Sequence, residues 1–194
     1  MGQTFLKDNK SNLPGCEVCT PEYQTTPLVF SSPHSGRDYP VDLVAASKLD
    51  ALVLRRSEDA FVDEIFAAAP DFGAPILCAL FPRAYVDANR EAYELDPTMF
   101  DGPMPGHVRT KSPRITAGLG TIPRVVSDGI EIYRGKLEYD NARSRIEHFH
   151  RTYHQTLDHL IKLTKGNFGA AILIDCHSMP SFGSPGVRSY SLKN

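Results

Sequence analysis

The chain has 194 residues and a formal net charge of −2 at pH 7, and 41% of its residues are hydrophobic. This length and composition are typical of one globular domain with a sizeable core. The near-neutral charge argues against a nucleic-acid-binding or membrane-surface protein, so a small molecule is the expected partner. Nothing in the sequence indicates an oligomeric state.

The cysteines and the first residues bear on the cellular compartment. Residues 1–8 lack the apolar stretch of a signal peptide, and no apolar run reaches the length of a membrane span. Cys16 and Cys19 form a single C-x-x-C pair, whereas a structural zinc site needs a second pair. Cys78 and Cys176 lie in apolar runs and are expected to be buried thiols. We expect a cytoplasmic protein in a reduced compartment.

The first half of the chain predicts two strands and a helix. Residues 1–25 are polar and contain prolines and a glycine, which predicts an irregular lead-in. The apolar segment 26–31 predicts a buried strand, and His34 follows it closely. A helix is predicted to begin at Ser57, because serine can cap it and apolar residues then repeat at helical spacing. Residues 75–80 predict a second strand.

The second half predicts a long loop, a long helix and a third strand. Residues 91–136 are rich in proline and glycine and read as a loop region. Residues 138–165 predict the longest helix, with Gly166 as its C-cap. Residues 170–174 are wholly apolar and predict a central parallel strand buried on both faces. The fold class is therefore α/β, with a mixed, largely parallel sheet flanked by helices in one domain over residues 1–194.

Two of the predicted strands are followed by a histidine, His34 and His177. Ligands of open α/β sheets lie beyond the carboxyl ends of the strands. A carboxylate at the start of the first predicted helix, Glu58 or Asp59, would complete three protein ligands, the pattern of a catalytic zinc site. Asp175 lies on the same side of its strand as His177 and is placed to orient it. On spacing alone, hydrogen-bonded loop histidines remain the alternative.

Four segments together carry a family resemblance. They are Ser32-Pro33-His34-Ser35-Gly36, Glu58-Asp59-Ala60-Phe61-Val62-Asp63, Pro82-Arg83 through Val86-Asp87-Ala88-Asn89-Arg90, and Ile174-Asp175-Cys176-His177-Ser178. Their order and spacing resemble the N-formylglutamate amidohydrolase family, from about Leu28 to Ser178. That family is similar in fold to zinc carboxypeptidases and aspartoacylases. The resemblance thus implies the phosphorylase/hydrolase-like architecture of zinc exopeptidases.

The resemblance also implies a cofactor and its ligands. Zinc would be bound by His34, Asp59 and His177, with Asp175 as the outer carboxylate. Asp59 is preferred to Glu58 because of its spacing from the Val62-Asp63 pair of the family pattern, and Glu58 remains the alternative.

Further residues are implied to contact substrate. The adjacent Asn89 and Arg90 would bind the substrate carboxylate, since an arginine fork matches a carboxylate. Arg83 would contact a second carboxylate or polarise the scissile carbonyl, and Arg124 is a further candidate. Without the resemblance, the alternative for Arg90 is an ion pair with a neighbouring acidic residue.

The implied activity is that of a zinc-dependent amidohydrolase, which hydrolyses the amide of a small N-acyl amino acid such as N-formyl-L-glutamate. The resemblance places the general base in a Gln-x-Glu segment after the third ligand, and no such segment follows His177 before Asn194. The family's C-terminal part is therefore expected to be missing. The alternatives are a zinc peptidase or deacylase with another substrate, and a non-catalytic binding module without the base.

Four histidines crowd the longest predicted helix, His148, His150, His154 and His159. His150 and His154 are four residues apart and share a face. A zincin motif requires glutamate directly after the first histidine, where this chain has Arg151. We expect these histidines to form hydrogen bonds at the surface or at the edge of the apolar stripe.

Overall fold

A mixed five-stranded sheet forms the centre of the molecule. The computed structural model describes residues 9–13, 15–126 and 129–179. Its strands are β1 (Asn9–Leu13), β2 (Cys16–Thr20), β3 (Leu28–Ser32), β4 (Ile76–Ala79) and β5 (Ile172–Asp175), in the spatial order β1-β2-β4-β3-β5. β3 pairs in parallel with β4 and β5, whereas β1 with β2 and β2 with β4 are antiparallel. The α/β class and the mixed sheet are confirmed, with parallel pairing on both sides of β3.

The helices are short except for one long run near the end of the chain. They are α1 (Val41–Ala46), α2 (Ala51–Leu54), α3 (Val62–Ile65), α4 (Pro113–Thr116), α5 (Tyr139–Arg145) and α6 (Arg151–Phe168), with 3-10 turns at Arg55–Ser57, Ala69–Phe72 and Pro97–Met99. A π-helical segment, Ile146–His150, joins α5 to α6. The long helix is confirmed, but it ends at a left-handed Gly169 rather than at Gly166. None of the described helices is both long enough and apolar enough to cross a bilayer.

The irregular lead-in predicted for residues 1–25 is wrong for residues 9–13 and 16–20, which form the antiparallel strands β1 and β2. Cys16 and Val18 are buried on β2 while Glu17 is only half-buried, the alternation of a strand with one face on the core. Gly15 turns the hairpin with φ 75°. Residues 1–8 and 14 of the predicted lead-in lie outside the described residues.

The helix predicted from Ser57 is also largely wrong, because only the four residues of α3 are α-helical there. Ser57 ends a 3-10 turn instead of capping a helix. Glu58 is extended, with φ −68° and ψ 142°, and the backbone N–H of Asp59 after it donates to the carbonyl of His34 at 3.0 Å. Phe61 then adopts a φ of 65° and is 56% exposed. The extended Glu58 and the left-handed Phe61 thus interrupt the helix that the apolar spacing predicts.

The last strand lies elsewhere in the sheet than predicted. β5 pairs in parallel with β3, as expected, but it is an edge strand of the described sheet. Ile172 is 51% exposed and Leu173 is 42% exposed, so the prediction of burial on both faces is wrong. The predicted burial of Cys78 and Cys176 is confirmed.

The described part of the Pro/Gly-rich region 91–136 is mostly irregular, as predicted, with only α4 and the 3-10 turn Pro97–Met99 as longer elements, but it contributes to the core. Leu95, Ile122 and Ile132 are fully buried and belong to the same apolar cluster as Leu77 of β4. This region therefore packs against the sheet and helps to wall the site described next.

Candidate metal centre

The carboxyl ends of β3 and β5 bring the two predicted histidines together. Ser31 of β3 is paired with Asp175 of β5, so the segments that follow these parallel strands leave the sheet at the same edge. His34 and His177 lie on those segments, and their ring centroids are 4.9 Å apart. The structure thus unites residues that are far apart in sequence.

Asp59 completes this group. Its Oδ2 lies 2.8 Å from Nδ1 of His177 and 3.5 Å from Nδ1 of His34. One possible ligand atom from each of the three residues lies within 4.8 Å of the others. Glu58 is directed elsewhere, because its carboxylate accepts a hydrogen bond from the Tyr39 hydroxyl at 2.7 Å. Of the two carboxylates considered, only Asp59 meets both histidines.

Each histidine is held from behind by a second carboxylate. Nε2 of His34 lies 2.7 Å from Oδ1 of Asp87, and Nε2 of His177 lies 2.9 Å from Oδ2 of Asp175. With these nitrogens donating to the carboxylates, both Nδ1 atoms turn their lone pairs toward Asp59. Metal-binding histidines are held in this way.

The donor set fits a divalent cation such as zinc. Nδ1 of His34 is buried and has no hydrogen-bond partner within the described part of the chain. An unsatisfied buried polar atom is unfavourable unless something binds it. Two imidazoles and one carboxylate around one point are typical ligands of catalytic zinc. His34, Asp59 and His177 are therefore the residues able to hold such an ion.

The electrostatics of the group favour a bound cation. Burial raises the pKa of Asp87, but the hydrogen bond and charge of His34 and the charges of two arginines hold that pKa well below its usual range. Burial raises the pKa of Asp59, but the contacts of its carboxylate with the His34 and His177 imidazoles outweigh burial and hold that pKa below its usual value. Burial lowers the pKa of His177, yet Asp59 and Asp175 raise it overall. Two ionised carboxylates thus flank His34 at neutral pH.

Asp87 is the residue that sequence reasoning missed. Its side chain is 1% exposed, and besides His34 it accepts hydrogen bonds from Nε of Arg83 at 3.0 Å and from the backbone N–H of Asn89 at 2.9 Å. From the sequence, its only expected role is that of a neighbouring acidic residue that could form an ion pair with Arg90. The sequence does contain a signal: Asp87 lies between the apolar Val86 and Ala88, where a buried carboxylate would need a partner.

The predicted substrate-binding residues take different positions. Arg83 lines a cavity of about 600 Å³ that also reaches Asp59. The guanidinium of Arg90 donates to the carbonyls of Leu119 at 3.0 Å and of Asn89 at 2.7 Å. Arg83 thus faces the cavity beside the candidate ligands, whereas Arg90 braces the surrounding backbone.

Asn89 and Arg124 are also engaged within the protein. Nδ2 of Asn89 donates to Oδ2 of Asp175 at 3.3 Å and lies 3.1 Å from Nε2 of His177. Arg124 pairs with Asp96 at 2.9 Å and with Glu131 at 3.3 Å. Asn89 therefore joins the metal centre from behind, and Arg124 links two segments of the loop region.

Two of the helix histidines form the hydrogen bonds expected of them. Nε2 of His150 lies 2.7 Å from the carbonyl of Arg90, and Nε2 of His154 lies 2.8 Å from the carbonyl of Ala88. His148 instead contacts Ser144 one turn earlier on its own helix. His150 and His154 therefore contact the segment that contains Asp87 and Asn89.

Comparison with known proteins gives consistent results. The family model for N-formylglutamate amidohydrolase matches residues 26–189. The N-formylglutamate deformylase of Pseudomonas aeruginosa is 27% identical over 168 residues, which are 85% of this chain and 56% of that protein. The deformylase of Pseudomonas putida is 26% identical over 157 residues, 80% of this chain and 52% of that protein.

A solved structure agrees with these matches. The crystal structure of N-formylglutamate amidohydrolase from Ralstonia eutropha JMP134 superposes with a TM-score of 0.80 and 34% sequence identity, over 87% of this chain and 59% of that one. The chain spans about half the length of the curated relatives it matches. Since the family model covers most of its residues, the chain belongs to the N-formylglutamate amidohydrolase family.

Proposed function

We propose that this chain is a zinc-dependent amidohydrolase that acts on N-formyl-L-glutamate or a closely related N-acyl amino acid, with His34, Asp59 and His177 as the zinc ligands. The proposal rests above all on Nδ1 of His34, which is buried without a partner in the described structure and faces a carboxylate and a second imidazole. The activity after which the related proteins are named supports the choice of substrate.

The protein residues around the ion have separable tasks. A zinc ion bound by these two imidazoles and one carboxylate would supply Lewis acidity toward water and an amide carbonyl. Asp87 and Asp175 keep the protons of the two imidazoles on Nε2, so that Nδ1 of each ring is free to bind the ion. The carboxyl-terminal edge of the sheet thereby holds three ligands in a fixed arrangement.

The neighbouring cavity suits a small anionic substrate. Its volume of about 600 Å³ lies in the range of small-molecule sites. Arg56 and Arg83 supply positive charge to its wall, and Leu119 and Val125 are among its apolar residues. We propose that Arg83 attracts a substrate carboxylate or stabilises negative charge that develops on the carbonyl oxygen. The remaining predicted substrate-binding residues, Asn89, Arg90 and Arg124, donate to protein groups and would then shape the site. For them to bind substrate directly, these donors would have to turn toward it.

Metal analysis tests the ligand set directly. Purified protein reconstituted with zinc and dialysed should retain about one zinc per chain by mass spectrometry, and His34→Ala or His177→Ala should abolish this binding. His148→Ala is the matched control, because that exposed histidine contacts only its own helix among the described groups. Folded protein that binds no zinc under these conditions would overturn the proposal.

A substrate panel then separates the possible activities. Release of formate from N-formyl-L-glutamate by zinc-loaded protein supports the amidohydrolase. Preference for N-acetyl or peptide substrates favours a deacylase or peptidase instead. Binding of N-formyl-L-glutamate by calorimetry without turnover supports a binding module.

A further inference from the structure

Two histidines of the long helix contact the backbone beside the metal centre. His150 is 6% exposed and its Nε2 donates to the carbonyl of Arg90 at 2.7 Å, while Nε2 of the more exposed His154 donates to the carbonyl of Ala88 at 2.8 Å. Because both acceptors are carbonyl oxygens, each ring must carry a proton on Nε2. The ring centroids are 4.3 Å apart, so the two imidazoles pack as a pair, which we call the histidine clamp.

The two bonded carbonyls flank Asn89 on either side. The N–H of Asn89 donates to Asp87 at 2.9 Å, and its own carbonyl accepts from Arg90 at 2.7 Å. The backbone around residue 89 is thus fixed by hydrogen bonds on both sides. The side-chain amide of this residue reaches Asp175 at 3.3 Å and His177 at 3.1 Å. Movement of this backbone would therefore move a group that touches the zinc ligand and its carboxylate.

The helix itself is adapted to this contact. The π-helical segment Ile146–His150 ends at the first histidine of the clamp. An extra residue in a helical turn rotates everything that follows, and such segments are frequent at functional sites. His150 and His154 then lie one α-helical turn apart on the same face. Burial lowers the pKa of His150, which keeps this ring neutral at neutral pH.

We propose that His150 and His154 are positioning residues for the metal centre, which act by holding the backbone of Asn89 and, through its amide, Asp175 and His177. This inference rests on the proposed zinc site. The two helix histidines would thereby support the centre without binding the ion themselves.

The test compares variants that remove or retain the donated hydrogen bond. His154→Leu removes it at a partly exposed position, where loss of folding is not expected, and His154→Gln keeps an Nε2 donor of similar reach. Zinc affinity is measured by chelator competition, and the geometry by the visible spectrum of the cobalt-substituted protein. We expect about a 10-fold weaker zinc affinity and a changed spectrum for His154→Leu, within the range for groups behind metal ligands. His154→Gln should restore both.

Two further measurements separate positioning from a general structural role. In an Asn89→Ala background, His154→Leu should no longer change zinc affinity, because the group through which it acts is gone. His159→Leu, an exposed change on the same helix, should leave zinc affinity and spectrum unchanged. The inference is wrong if His154→Leu only lowers the melting temperature, or if its effect persists undiminished without the Asn89 amide. Wild-type protein that binds no zinc would instead refute the proposed function itself.

Discussion

Replacing Asp87 with asparagine removes one charge without changing the shape of the side chain. In the structure both carboxylate oxygens accept: Oδ1 from Nε2 of His34 at 2.7 Å and Oδ2 from Nε of Arg83 at 3.0 Å. Asparagine offers one acceptor oxygen and one NH₂ group. Whichever way the amide is turned, its NH₂ meets an N–H of His34 or of Arg83. At least one hydrogen bond is therefore lost at a site that is 1% exposed.

The expected magnitude follows from that loss. Hydrogen bonds to charged groups contribute about 1.5–3 kcal/mol to stability, so the metal-free Asp87→Asn protein should lose free energy of unfolding of that size. Loss of a group behind a metal-binding histidine weakens metal affinity by about 10–100-fold. Zinc affinity is measured by competition with a chromophoric chelator, and stability by urea denaturation of metal-free protein.

Asp158→Asn is the matched control for this prediction. Asp158 is an exposed carboxylate of α6, paired with Lys162 at 2.6 Å, and its replacement should change stability by less than about 1 kcal/mol. A folded Asp87→Asn protein with wild-type zinc affinity would refute the idea that Asp87 orients His34. A loss of stability alone would show that Asp87 serves only to neutralise its arginines.

Three more perturbations test the surroundings of the site. Gly36→Ala would place a Cβ 2.2 Å from the carbonyl oxygen of Phe81, so the free energy of unfolding measured by urea denaturation should fall by about 1–3 kcal/mol or more. Gly106→Ala is the control: its Cβ would have no atom within 4 Å, and the free energy of unfolding should change by less than about 0.5 kcal/mol. Tyr153→Phe removes a buried hydroxyl that lies 2.8 Å from a serine hydroxyl of β3, and should reduce the free energy of unfolding by about 1 kcal/mol with zinc affinity unchanged. Burial lowers the pKa of His150 below that of an unperturbed histidine, about 6.5, so the unfolded chain takes up this proton first as the pH falls. Wild-type stability should therefore decline below about pH 6.5 more steeply than that of His150→Gln in urea titrations at several pH values, and equal slopes would contradict the assignment.

Local sequence signals were sufficient to predict the two strands that His34 and His177 follow. β3 and β5 are short apolar runs followed by polar residues, and β-branched and apolar residues dominate both. The α/β alternation then predicted that such strands run in parallel, which places the residues after them at one edge. The meeting of His34 and His177 follows from these two steps.

The segment around Asp59 shows where such signals fail. Its apolar residues have helical spacing, yet the chain forms a 3-10 turn, an extended residue and a single helical turn. The break at the extended Glu58 is accompanied by a hydrogen bond from the Asp59 backbone to His34, a residue of a different segment. No local pattern contains that interaction. Helical spacing therefore gave the wrong element, while the residue chosen as the third member of the group was independent of that error.

The two carboxylates that hold the histidines, Asp175 and Asp87, differ in how far they lie in sequence from the histidine that each one contacts. Asp175 ends β5 and His177 follows two residues later, so the two-residue period of the strand places both on one side. Asp87 lies 53 residues from His34, and only the tertiary fold brings the Arg83–Arg90 segment beside the residues that follow β3. A sequence alone can thus identify an outer carboxylate that is local and misses one that is not.

The register between β3 and β5 is consequently the feature on which the group depends most. Ser31 pairs with Asp175 in the structure, and a slip of one residue would turn Asp175 and the chain after it to the opposite face of the sheet. His177 would then lose Asp59, although Asp175 would move with it, whereas His34 would keep Asp87. β5 is an edge strand of the described sheet, so among the described strands only β3 fixes its register. The side-chain amide of Asn89, which contacts both Asp175 and His177, supplies a second restraint at the end of β5.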